Sequence, residues 1–234
     1  MGKRGYVPED EKQFAGTQLE QLKKAAREVQ FLLDQGYGVK QTTTFVGNHY
    51  LFSERQRLAL ARTVSPKEWI VERNRKERLI QAENNLPKTV HIDGFNTIIT
   101  LEVALSGGPV FACGDGTIRD LAGLRGTYHI IEQTKKAIEL ILHQLDFLGI
   151  ENACFYLDAP VSNSGRLSSL IIECADKYDV SVKVQVINDV DRTLEQRDGV
   201  ISGDAIILNH CISWLNIMPK IMEHIESVWM IQLQ

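Results

Sequence analysis

TVHIDGFNTIIT, residues 89–100, is the stretch on which the fold turns. Thr89-Val90-His91-Ile92 has the β-branched, apolar character of a short buried strand. It ends on a carboxylate, Asp93, followed by the turn and cap residues Gly94 and Asn96. A charge at the end of a core strand calls for a partner.

The arrangement recurs. Downstream, apolar runs of strand length alternate with helix-length segments. VHI (90–92) precedes TIITLEVAL, VFAC (110–113) precedes a Gly-rich loop and IIEQTKKAIELILHQLDFLG, and CFYL (154–157) precedes GRLSSLIIECADKYD. Next come VKVQVI (182–187), GVIS (199–202) with AIILNHCISWLNIMPKIMEHI, and a last candidate strand in VWMIQL (228–233). This alternation predicts an α/β domain with a parallel sheet covered on both faces.

Five of these strands run into aspartate: Asp93, Asp115, Asp158, Asp189 with Asp191 beside it, and Asp204. C-terminal strand ends share one edge of an open parallel sheet, where crevices form at the switch in strand order. The carboxylates are therefore expected to converge. Converging charges repel and lose hydration, which suits hard cations such as Mg²⁺ or Mn²⁺. Two such ions about 4 Å apart activate water on one side of a phosphodiester and stabilise the leaving oxygen on the other. The competing explanation is helix capping, worth roughly 1 kcal/mol per aspartate, and Asp204 directly before AIIL is the best cap candidate.

Groups able to meet phosphate lie in the same loops. GDGTIRDLAGLRGTYH (114–129) carries Arg119 and Arg125 in a flexible Gly-rich setting, and VSNSGRL (161–167) places Ser162, Asn163, Ser164 and Arg166 at a helix start. Arg119 and Arg166 are equally suited to pairing with the aspartates. His91 and His210 read as core groups, while His129 closes the Gly-rich loop as a further candidate.

The first part of the chain differs. Residues 1–89 hold 16 Lys and Arg against 11 Asp and Glu; residues 90–234 hold 10 against 19, so charges of +5 and −9 make up the net −4. Residues 1–12 are polar and aperiodic, expected to be a flexible arm. Leu19, Leu22, Ala26, Val29 and Leu33 recur at helical spacing, with Gly36 placed for a left-handed C-cap. VKQTTTFV (39–46) suits a strand or extended linker. Ser53 with Gln56, and Ser65-Pro66-Lys67-Glu68, mark two further helix starts. Arg55, Arg57 and Arg62, then Arg73, Arg75, Lys76 and Arg78, form a cluster that suits nucleic acid or, with Glu72 and Glu77 interleaved, a solvated helix face. The division expected is a basic, mostly helical domain over 1–87 and an α/β domain over 88–234.

Cys113, Cys154, Cys174 and Cys211 are scattered through apolar surroundings and read as reduced thiols. No leader opens the chain, and its most apolar run is interrupted by Asn209, His210 and Asn216. The expectation is a cytoplasmic protein with no membrane partner, open to oligomer formation.

The order of these acids resembles the PIN-like nuclease superfamily, including its NYN branch. There a first strand ends in Asp, here HIDGFN with Asp93 and Asn96, and a late strand–acid–helix element carries SD, here VISGDAIIL with Asp204 and SGD in place of SD. The resemblance implies a three-layer domain over about 88–234, Asp93 and Asp204 as metal-binding acids, and Asp158 and Asp189 or Asp191 as intermediate ones. It implies a nuclease acting on RNA more than DNA, with Asp93, Asp158, Asp189 and Asp204 catalytic. Asn96, Arg119, Arg125, Ser164, Arg166, Arg55 and Arg62 would then meet the nucleic acid. A catalytically silent RNA-binding scaffold and a Mg²⁺-dependent phosphatase using Asp93 as nucleophile are the alternatives. The whole chain, through LLDQGYG, NHYLFSERQRLALAR and HIDGFN, also resembles a mostly archaeal family catalogued as domain of unknown function 434.

Overall fold

Along Asn152–Asp158, Ala153, Phe155 and Leu157 enter one core while Cys154 and Tyr156 enter another, so this strand is buried on both faces. It is the centre of a computed structural model that describes residues 3–82, 86–123 and 126–234. The elements in order are α1 (Asp10–Gln13), α2 (Gly16–Asp34), α3 (Val39–His49), α4 (Glu54–Thr63), α5 (Lys67–Ala82), β1 (Thr89–Asp93), α6 (Gly94–Leu105), β2 (Val110–Ala112) and β3 (Ile118–Asp120). Then follow α7 (Glu132–Phe147), β4 (Asn152–Asp158), α8 (Ser164–Ala175), β5 (Ser181–Ile187), α9 (Val190–Leu194), β6 (Val200–Ile201), α10 (Ala205–His210), α11 (Met218–Met222) and β7 (Met230–Gln232).

The main sheet has the order β5-β4-β1-β6 with every pair parallel. Val90 and Ile92 pack with residues of α6, α7 and α8 on one face; Tyr156, Val200 and Trp214 pack with residues of α9 and α10 on the other. Chain order runs outward from β1 to β4 and β5, then returns to β6 on the far side of β1. The switch in strand order therefore lies between β1 and β6, with Asp93 and Asp204 at their ends.

Several expectations for this half need correction. VFAC does not join the parallel sheet: β2 pairs antiparallel with β3 and parallel with β7 in a second sheet. Much of the loop expected to be flexible is therefore a hairpin, and Asp115 leaves the row of converging carboxylates. The long final helix is also absent. The helix stops at Cys211, Trp214 bridges in parallel to Val200, and His210, expected in the core, is exposed.

The N-terminal helices complete the second sheet. Leu22, Val29, Val46 and Leu60 share a core with Phe111, Leu121, Ile231 and Leu233, so strands beyond residue 88 close the core of helices before residue 87. Residues 39–46, expected as a strand or linker, are helical. The Thr43 and Thr44 hydroxyls donate to Val39 O (2.8 Å) and Lys40 O (2.7 Å), which absorbs the polar groups of β-branched side chains. The Ser53–Gln56 capping box forms, and Gly36 takes φ 85° after α2.

Residues 3–12 are no loose arm. Arg4 pairs with the buried Glu102 and lies 4.7 Å over the Tyr128 ring, while buried Asp10 pairs with Arg55. All four cysteines are free thiols. Among the described residues no helix is long and apolar enough to cross a membrane.

Candidate acidic cleft

Asp93 closes β1 and stands at the N-cap position of α6, yet its carboxylate makes no cap hydrogen bond. Its Oδ2 instead accepts from Ser202 Oγ at 2.8 Å, across the switch point. The helix can begin here because Gly94 has no Cβ: one would fall 2.6 Å from Leu157 Cδ2 and 2.9 Å from Tyr156 O. The backbone N–H of Asn96, in the first turn of α6, lies near enough to favour the charged carboxylate, so Asp93 keeps a weak share of the capping role beside its bond to Ser202. Asp204 differs, since its Oδ1 accepts from Ile206 N at 2.7 Å and Ile207 N at 3.3 Å as a true N-cap of α10.

Asp93, Asp158, Asp191 and Asp204 line one cleft of about 700 Å³. Asp189, grouped with them on sequence, does not line it. The chain turns there through a left-handed conformation (φ 56°), and Asp189 borders a neighbouring depression that Asp158 and Asp191 also reach. Burial raises the Asp93 carboxyl to about 7, with the charges of Asp204 and Asp191 adding and the Ser202 bond opposing. Asp191 is raised by partial burial and by Asp204 and Asp158; Asp158 is raised by partial burial and by Asp189. The carboxylates thus sense one another. Among the described residues, no three His, Cys, Asp or Glu side chains close on one point as a ready-made metal cage.

The SGD turn is clamped from both sides. Gly203 N donates to Asn96 Oδ1 at 2.8 Å, and Gly203 O accepts from Arg119 Nε at 2.7 Å. A Cβ at residue 203 would sit 3.1 Å from Asn96 Oδ1, so glycine permits the close approach. Arg119 is held in turn by Asp115, whose Oδ2 accepts from Arg119 Nη2 at 2.8 Å and from Arg73 Nη1 at 2.6 Å. Burial would raise the Asp115 pKa, but Arg119, Thr117 and Arg73 together hold it below the usual carboxylate range. Arg73 also donates to Asn209 Oδ1 at 2.7 Å, which fixes α5 against α10.

The expected phosphate-binding groups divide accordingly. Arg62, Asn96 and Arg119 line the cleft, but Arg119 is buried and committed to Asp115 and backbone carbonyls rather than set in a mobile loop. Arg62 donates to Asp120 O at 2.6 Å and remains partly exposed. Arg55 is consumed inside the protein by Asp10 and Gly5 O. Ser164 is buried and Arg166 exposed at the start of α8, and neither lines the cleft. Arg125 and the Arg78 side chain lie outside the described residues. Sequence reading missed Ser202 as a partner of Asp93 and Arg73 as a partner of Asp115. The first had a signal in the SGD motif; the second, 42 residues from its partner, had none.

The family described as domain of unknown function (DUF5616) matches residues 83–220, and that described as protein of unknown function (DUF434) matches residues 21–76. An uncharacterized protein of Methanocaldococcus jannaschii, MJ0935, is 33% identical over 187 residues, covering 80% of this chain and 88% of that protein. No solved structure matches. The chain belongs to the DUF5616 family and carries the DUF434 region ahead of it.

Proposed function

We propose that this family member is a metal-dependent phosphodiesterase acting on RNA, with the acidic cleft as its active site. The observation that carries the reading is Asp93: a buried carboxylate bonded to Ser202 across the switch point of a parallel sheet, in one cleft with Asp158, Asp191 and Asp204. The order β5-β4-β1-β6 with helices on both faces supports a PIN-like arrangement. Hard oxygen donors fit Mg²⁺ or Mn²⁺, and Mg²⁺ is commonly held by one or two carboxylates, waters and substrate phosphate instead of a closed protein cage.

Asp93 and Asp204 would hold the ion, with Asp191 and Asp158 beside them. When bound, the ion supplies Lewis acidity and neutralises charge developing on the phosphodiester. Ser202 orients Asp93 through Oδ2, and the Asn96 and Arg119 clamp on Gly203 fixes the backbone that carries Asp204. Arg62, partly exposed on the cleft wall, attracts the substrate phosphate.

The test is a gel assay of the full chain on single-stranded RNA with Mn²⁺ and with EDTA. Cleavage should require Mn²⁺ and fall at least about 100-fold in Asp93→Asn and in Asp204→Asn, as expected when positioned transition-state stabilisation is lost. Cleavage that survives both EDTA and Asp204→Asn sinks the metal mechanism. Binding with no cleavage assigns the protein a scaffold role, and a trapped phospho-aspartate assigns it phosphotransfer.

A further inference from the structure

The acidic cleft has a second wall of different chemistry. Beside the acids it is lined by Val39 at the start of α3, Pro66 just ahead of α5, Trp69 in the first turn of α5, and Ile206 on α10. Trp69 sits in the first turn of α5 and is partly exposed; Ile206 is 56% exposed. By contrast, Trp214 is fully buried with its indole N–H donating to Arg73 O. Among the described residues the Trp69 indole has no such hydrogen bond. Its ring centroid lies 6.5 Å from that of the exposed His210 at an interplanar angle of 47°, so the two rings are neighbours but not stacked. Arg62 lines the same cleft, partly exposed, with its guanidinium 3.7 Å from the Asp120 carboxylate.

A partly exposed aromatic side chain lining a cleft that also holds a partly exposed arginine and several carboxylates matches the needs of a nucleotide: a base to stack, a phosphate to hold, a scissile bond to reach. We infer that Trp69 is a stacking platform for an unpaired nucleobase next to the scissile phosphate, so that the cleft selects single strands over duplex. The inference rests on the phosphodiesterase reading and adds to it a specificity-determining residue supplied by the N-terminal helices. A paired base, already stacked between its neighbours, presents no free face to Trp69, so discrimination against duplex follows from geometry. Stacking is tolerant of base identity, so the platform confers strand selectivity with little sequence preference.

The experiment measures binding by fluorescence anisotropy of the full chain in EDTA, which stops consumption of the probe. The probes are a labelled short oligouridylate, an abasic ribose-phosphate chain of equal length, and a duplex of matching sequence. Trp69→Leu should weaken oligouridylate binding about tenfold, the order of one stacked base, while Trp69→Phe keeps most of the affinity. The abasic chain should bind wild type and Trp69→Leu with equal, weaker affinity, because it has no base to stack. Thermal melts of both variants establish that each is folded. Oligouridylate binding unchanged in Trp69→Leu, or an abasic chain bound as tightly as oligouridylate, overturns the platform and leaves the nuclease reading standing. No binding of any probe at low salt, either in EDTA or with Ca²⁺ in its place, overturns both.

Discussion

At the scale of single residues, Asp93 carries the argument because its surroundings are unfavourable to its own charge. The folded carboxyl titrates at about 7, while an unfolded aspartate titrates near the ordinary 3.8. Between those values the native state holds a proton that the unfolded chain has released. The stability present below the unfolded pKa is therefore lost as pH rises through the window from about 4 to about 7. The loss is on the order of a few kcal/mol in the absence of cations. Asp93→Asn removes this titration and keeps an acceptor for Ser202. In EDTA its Tm should exceed that of the wild type at neutral pH, and the difference should shrink toward pH 4. Added Mg²⁺ should raise the wild-type Tm by mass action and leave the variant nearly unmoved. Scanning calorimetry across pH, with and without Mg²⁺, measures both effects. A variant that unfolds at room temperature, or gains equally at every pH, would show that Asp93 is a structural group.

At the scale of elements, the Asp115 turn joins the two sheets to the N-terminal helices. Its carboxylate is 1% exposed and is the shared counter-charge of Arg73 on α5 and Arg119 on β3. Asp115→Asn preserves shape but leaves two buried guanidinium groups facing a neutral amide. Removing one partner of a buried ion pair costs about 3–5 kcal/mol. Urea unfolding should record a loss of that size, whereas Asp204→Asn, at a less buried position, should cost far less. A loss below about 1 kcal/mol would mean that the arginines find other partners. This turn also marks where sequence reading stopped. The strands of the main sheet were legible because β1, β4 and β6 are short apolar runs and β5 alternates Val182, Val184 and Val186 with polar residues, and the starts of α4 and α5 were legible because Ser53, Gln56, Ser65 and Pro66 have local chemistry. The assignment of VFAC to a second sheet was not, because β2 is apolar like the rest and its pairing with β7 joins residues 110–112 to 230–232. Residues 39–46 misled through their β-branched threonines, whose hydroxyls turned back onto the helix backbone. The acids at the switch point were readable as strand endings. Asp204 was legible as a cap because its partners, Ile206 N and Ile207 N, are local, whereas Asp115 as an ion-pair centre and Asp93 as a buried group depend on Arg73 and Ser202 far along the chain.

At the scale of the whole molecule, the charge division between residues 1–89 and 90–234 overstates the separation of two jobs. Arg4 and Arg73, both counted in the basic half, are spent on Glu102 and Asp115 of the acidic half. Fewer cations than +5 suggests are left to meet a phosphate backbone, so the affinity of the full chain for RNA should fall only modestly with salt. The same contacts bear on whether the α/β part stands alone. A fragment starting at Leu86 would uncover Phe111, Leu121, Ile231 and Leu233, each at most 3% exposed in the intact chain. Burying such side chains contributes about 1.5–3 kcal/mol each, so their combined exposure is comparable to the 5–15 kcal/mol by which a whole domain is stable. The fragment also loses Arg73 from Asp115, and with Val39, Pro66 and Trp69 it loses one wall of the cleft. It should therefore fail to melt cooperatively, bind a hydrophobic dye and associate, where the full chain does none of these. Circular dichroism melts, dye binding and sedimentation of the two chains side by side decide the matter. A fragment that melts in one sharp transition as a monomer would mean that the second sheet is dispensable to the first, and that the acidic cleft owes the N-terminal helices nothing but a neighbouring surface.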